Sequence, residues 1–172
     1  MFGKTTDVKQ RGVTEMKAAL VCISTHHGNT EKIANAMADA LGAPVLRPEN
    51  ATIQSVTEYD VIGFGSGIYF MKHHRKLRNF VGKLPVMKNK KAFIFSTAGV
   101  SDRLVEKNLN KNHRALRNKL IDKGFEIIGE FSCCGYMKRG WYYPKGNRNI
   151  GRPNEDDMRK AREFATSLTA KI

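Results

Sequence analysis

Three things are scarce in this chain: long apolar runs, cysteine and acidic side chains. No apolar run approaches the ~20 residues that span a bilayer as a helix, so a helical membrane protein is excluded. The opening segment, Met1 to Glu15, is polar and lacks the apolar core of a secretion signal. It reads as a loose extension, or as sequence upstream of the true start, leaving residues 16–172 as one domain. Cysteine occurs three times, at Cys22, Cys133 and Cys134. That excludes a disulfide framework, and no metal-ligand spacing is present. A reduced, cytoplasmic setting is expected. Cys22 lies in an apolar run and reads as core. The vicinal pair Cys133–Cys134 makes a poor disulfide, so strand-end packing is preferred to redox-thiol chemistry.

Acidic residues number 16 against 30 Lys and Arg, giving a net charge of +14. A surface this basic suits nucleic acid, an anionic membrane or an acidic protein. No helix-turn-helix, zinc finger or RNP-type element accompanies the charge, so nucleic acid is not expected as a partner.

What is present is an alternation of apolar runs and amphipathic segments. Ala18 to Ile23 is apolar throughout, as in a strand buried on both faces. An amphipathic helix follows, with Ile33, Met37, Ala40 and Leu41 on one face and Gly42 placed as a left-handed cap. Pro44–Leu46 reads as a second short strand, residues 50–57 as a weak helix or turn, and Asp60–Phe64 as a third strand. A helix beginning near Met71 or Lys72 buries Leu77, Phe80 and Val81. Lys91–Phe95 forms a fourth strand. A long helix over residues 103–123 carries Leu104, Leu109, Leu116 and Leu120. Phe125–Phe131 is the fifth strand, and residues 132–152 read as loop. A last helix opens at Pro153, with Met158, Ala161, Phe164, Ala165 and Leu168 inward. Five strands alternating with helices give an α/β doubly wound parallel sheet. Such sheets bind ligands at the carboxyl ends of their strands.

Three small-residue segments fall at that edge. The first is Ser24-Thr25-His26-His27-Gly28-Asn29-Thr30, between the first strand and its helix. Unpaired N–H groups and the helix dipole favour an anion there, Ser24, Thr25, Asn29 and Thr30 add donors, and Gly28 permits close approach. It is neither a Walker loop nor a Gly-x-Gly-x-x-Gly turn. The alternative is an ordinary loop in which Asn29 or Thr30 merely caps the helix. The second segment is Gly65-Ser66-Gly67-Ile68-Tyr69-Phe70, with Tyr69 read as a stacking residue and Phe70 as a packed one. The third is Ser96-Thr97-Ala98-Gly99. A phosphate nest, an aromatic wall and accessible backbone suit a mononucleotide with a flat ring.

Residues 25–31 resemble the flavodoxin phosphate loop, residues 65–69 the loop that sets an aromatic against the flavin, and residues 96–99 the third flavin loop. The resemblance covers roughly residues 17–170 and lacks the insertion of long-chain flavodoxins. It implies a flavodoxin-like fold with strand order 2-1-3-4-5, noncovalent FMN and transfer of one or two electrons. By position, Ser24 to Thr30 would hold the phosphate, Ser66, Gly67, Ile68, Tyr69 and Phe70 would line one side of the ring, and Ser96, Thr97, Ala98 and Gly99 would meet its pyrimidine end. No catalytic side chain and no metal are implied.

Two departures stand out. His27 occupies a position where the family pattern has threonine. The basic run Lys72, His73, His74, Arg75, Lys76 and Arg78, together with Lys138, Arg139, Lys145 and Arg148, contrasts with the acidic surfaces of typical flavodoxins. Positive surroundings favour reduced, anionic flavin and raise its potential. The leading expectation is an electron carrier whose redox protein partners have acidic docking surfaces, with peripheral contact to an anionic membrane as a further possibility. The alternative is an FMN-dependent oxidoreductase on the same fold, such as an NAD(P)H:quinone reductase or a protoporphyrinogen-oxidase-like enzyme.

Overall fold

A computed structural model describes residues 17–138 and 146–171. Strand β1, Ala18–Ile23, is buried at every position. Its alternate side chains enter two different cores, which is why the run is apolar without a period-two pattern. Leu20 and Cys22 pack with Ile33 and Met37 of α1 (Asn29–Leu41) and Ala161 and Ala165 of α5 (Glu155–Leu168). Val21 and Ile23 pack with Leu77 and Val81 of α3 (Arg75–Lys83) and Leu116 and Leu120 of α4 (Asp102–Asp122). A short α2, Ile53–Thr57, completes the helices, and a 3-10 turn, Thr169–Lys171, follows α5.

The remaining strands are β2 (Val45–Leu46), β3 (Val61–Tyr69), β4 (Lys72–His73), β5 (Lys91–Ala98) and β6 (Glu126–Cys134). The parallel sheet runs β2-β1-β3-β5-β6. This is the expected 2-1-3-4-5 order, with β4 added as a short antiparallel partner of β3. Gly42 closes α1 with a φ of 60°, as a left-handed cap.

Several boundaries differ from the sequence expectation. Residues 65–69 are strand rather than loop. Gly63 and Gly65 sit beside the rings of Phe93 and Phe95 on β5, where a Cβ would collide with either ring. Glycine here makes room for a neighbour rather than a turn. Likewise β5 continues through Ser96, Thr97 and Ala98, and β6 through Cys134, because parallel pairing persists to those residues. Helix α3 starts at Arg75, not at Met71 or Lys72, because the chain first reverses at Phe70 and Met71, both with positive φ. In α4, Leu104 is exposed, while Val105, Asn112 and His113 turn inward with Leu116 and Leu120. Helix α5 starts at Glu155 under an Asn154–Asp157 capping box, just after Pro153.

Candidate functional site

The turn from β1 into α1 brings two consecutive left-handed residues, His27 (φ 58°) and Gly28 (φ 66°), to the start of the helix. The first-turn amides of α1 therefore face the strand end, where the helix dipole is positive. The Ser24 hydroxyl is buried there, with no hydrogen-bond partner among the described residues. A buried, unpaired hydroxyl is costly, and a ligand atom that bonded to it would remove that cost.

This turn forms one side of a cleft of about 290 Å³, near the lower end of the roughly 300–1,000 Å³ usual for small-molecule sites. Ser24, Thr25, His26, His27, Asn29 and Thr30 line it from β1–α1, and Gly67, Ile68 and Tyr69 from β3. Thr97, Ala98 and Gly99 line it from β5. The Tyr69 hydroxyl lies 2.7 Å from Thr25 Oγ1, and its ring sits between His26 at 5.9 Å and His74 at 5.5 Å. The Thr30 hydroxyl shares a buried 2.8 Å hydrogen bond with Thr97, tying α1 to β5 beneath the cleft. Among the described residues no carboxylate lines the cleft, and Lys138 adds a cation.

Four expected site residues lie elsewhere. Gly28 supplies the turn's backbone but is not in the wall. Ser66 is fully buried on the α3–α4 face, where its hydroxyl meets His73 Nδ1 at 3.0 Å, donates to the Gly67 carbonyl and accepts from the His74 amide. Ser96 lies level with it on the next strand and bonds to His113 Nε2 and Ser132 Oγ, both at 2.8 Å. Strand alternation explains both: their neighbours Gly67 and Thr97 point the other way. Phe70, expected to be packed, is 85% exposed at the β3–β4 turn.

The structure also adds a wall that the sequence reading left inside an undivided loop. Gly135, Tyr136, Met137 and Lys138 follow β6 and close the cleft. Asn29 Nδ2 donates to the Tyr136 carbonyl at 2.7 Å, and the His27 ring meets the Tyr136 ring edge-on at 4.7 Å. A glycine directly after an apolar strand was the available signal. Arg139, Trp141, Tyr142, Tyr143 and Lys145 fall outside the described residues, as does the segment 1–15.

The thiols are packing groups, as expected. Burial pushes Cys22 and Cys134 up to about 12, and raises Cys133 as well. Cys134 also donates to the Val100 carbonyl and to Asp102 Oδ1. Thiols held protonated in this way are poor nucleophiles. Among the described residues no cluster of histidine, cysteine and carboxylate side chains is set to hold a metal, and no helix is long and apolar enough to cross a membrane.

Comparison with known proteins places this geometry in a family. Residues 20–128 match the model of the flavodoxin domain. An uncharacterized protein of Methanocaldococcus jannaschii is 48% identical over 153 residues, covering 89% of this chain and 98% of its own. Oxidised flavodoxin 2 of Bacillus cereus superposes with a TM-score of 0.64 at 17% identity, covering 91% of this chain and 99% of its own. A Fusobacterium nucleatum flavodoxin, solved bound to flavin mononucleotide, gives a TM-score of 0.62 at 11% identity, covering 91% and 99%. With the family model spanning most of the sheet and its strand-end turns, this chain belongs to the flavodoxin domain family.

Proposed function

We propose that the cleft binds FMN noncovalently and that the protein carries electrons between redox partners. The observation that carries this reading is the unpartnered, buried Ser24 hydroxyl at the start of α1, inside a cleft without carboxylates. Ser24, Thr25, the two histidines and the first-turn amides of α1 suit a phosphate. Tyr69 and Tyr136 supply aromatic walls, and Gly67, Ala98 and Gly99 offer backbone beside them. The family's flavin supplies one- or two-electron transfer, while the chain's part is to hold it and shape its surroundings. The cations Lys72, Arg75, Arg78 and Lys138 lie in or beside the cleft and favour a reduced, anionic flavin.

Purified protein is expected to be yellow, or to take up added FMN with quenching of flavin fluorescence. Reduction is expected through a reductase protein rather than by direct turnover of NAD(P)H with a quinone. Colourless protein that takes up no FMN contradicts the reading. Steady-state quinone or porphyrinogen turnover replaces the carrier with an enzyme on the same fold.

A further inference from the structure

A second concavity lies on the other side of Tyr69. It has a volume of about 600 Å³ and shares Thr25, His26 and Tyr69 with the cleft. Lys72, Arg75 and Arg78 line it, and among the described residues no carboxylate does. Arg78 Nε donates to the His73 carbonyl at 3.0 Å, which fixes that guanidinium at the groove. Helix α3 opens with Arg75 and Lys76 and has no acid in its first turn, so these cations add to the positive helix end instead of offsetting it. The nearby carboxylate Glu49 is already paired with Lys76 at 2.9 Å.

The rim of this groove is the β3–β4 turn. Tyr69 and Lys72 pair across it, so Phe70 and Met71 are its two central residues. Their φ values are 48° and 62°. Two-residue hairpin turns of this hand favour Asn-Gly, because bulky side chains are strained there. Here the strained positions hold a phenylalanine and a methionine, and Phe70 is the most exposed large apolar side chain described. A ring this exposed is accessible to an interface, where aromatic side chains contribute much.

We propose that the Phe70–Met71 tip and the adjoining basic groove form the docking surface for an acidic protein: Phe70 enters an apolar pocket of that partner, and its carboxylates meet Lys72, Arg75 and Arg78. That the partner exchanges electrons rests on the flavin reading above; the docking itself does not. An anionic bilayer also attracts cations, but cations that line a concavity match a protruding acidic surface better than a flat one. Tyr69, which borders both concavities, places the partner next to the cleft.

The test uses isotope-labelled protein as purified, with an acidic [2Fe–2S] ferredoxin as probe and phosphatidylserine vesicles in a parallel arm. Amide shifts are expected to cluster at residues 69–78. Affinity is expected to fall about 10-fold between roughly 0.05 and 0.3 M salt. The Lys72→Glu/Arg75→Glu double variant is expected to weaken docking about 10-fold or more. Phe70→Gly is expected to weaken it about 10-fold while raising the thermal midpoint, because glycine accepts this φ. Shifts elsewhere, no shifts, or unchanged affinity in Phe70→Gly overturn the proposal. Vesicle binding through residues 69–78 that exceeds ferredoxin binding also overturns it, in favour of a membrane surface. Flavin uptake without ferredoxin docking refutes the docking alone; docking without flavin uptake refutes the flavin reading alone.

Discussion

Two groups of serine and histidine lie at the same sheet edge and end in opposite states. Ser24, His26 and His27 sit on the turn just past Ile23, which is level with Ser66, Ser96 and Ser132 across the sheet. The first group opens onto a cleft, and Ser24 keeps an unspent hydroxyl. The second is closed off from the cleft under α4, and among the described residues His73 Nε2 is its one buried polar side-chain atom without a hydrogen-bond partner. Arg117 holds Glu130 with two hydrogen bonds, Glu130 meets His113 Nδ1 at 3.1 Å, and His113 Nε2 meets Ser96, which meets Ser132. The His73 ring packs at a tilt against that of His113, centroids 4.8 Å apart, and bonds to Ser66. The same residue types thus serve a ligand in one place and join strands to a helix in the other. What decides is the face of the sheet on which each side chain lies.

The largest expected effect comes from opening the closed network. Glu130→Gln leaves Arg117 and His113 without their carboxylate and is expected to cost about 3 kcal/mol in urea unfolding, with flavin affinity in the folded variant within about twofold of the parent. Acid unfolding sharpens the same point. Burial raises the Glu130 pKa, but its bonds to Arg117 and His113 outweigh that and hold it at about 2. A carboxyl depressed in the folded state stabilises above its unfolded value of ~4.3 and loses that contribution as pH falls toward ~2. A pH series of unfolding free energies is expected to show this limb in the parent and a flatter one in Glu130→Gln.

Next in size is the serine contrast. Ser96→Ala leaves His113 Nε2 and Ser132 short of a partner, and is expected to cost about 1–2 kcal/mol without changing flavin affinity. Ser24→Ala is expected to do the reverse: stability equal or slightly higher, and FMN affinity down about 10-fold by fluorescence titration. If Ser96→Ala lowers flavin affinity and Ser24→Ala does not, the two groups have been assigned the wrong way round.

The last contrast, visible only as a pH slope, is at His73. Burial, aided by neighbouring His113, holds its pKa well below the ordinary value. The unfolded chain then binds the extra proton below ~6.5, so stability falls as pH drops through that value. In His73→Gln the slope between about pH 6.5 and 5 is expected to flatten by up to one proton, about 1.4 kcal/mol per pH unit.

The comparison also explains what was legible in the sequence. The apolar run of β1, the helical spacing of Ile33 and Met37, and the Gly42 cap are local signals; the alternation of such segments implied the parallel sheet, and the resemblance to flavodoxins implied its strand order. The β1–α1 turn was legible because its seven residues are contiguous. Ser66 and Ser96 were misassigned because small residues signal turns locally, whereas the rings of Phe93 and Phe95, which need Gly63 and Gly65, come from another strand. His113 was invisible for the same reason: its partners Ser96 and Glu130 are each 17 residues away. Tyr136 joined the cleft through Asn29, 107 residues distant.

The measurement that bears most directly on the β1–α1 turn as a phosphate anchor is paired titration of FMN and riboflavin, which differ by the phosphate, into the parent and Ser24→Ala proteins. A parent preference for FMN of about 100-fold or more, narrowed about 10-fold in Ser24→Ala, is expected from charge-assisted hydrogen bonds at a helix start. Equal affinity for the two flavins, or a preference that Ser24→Ala leaves untouched, would contradict it.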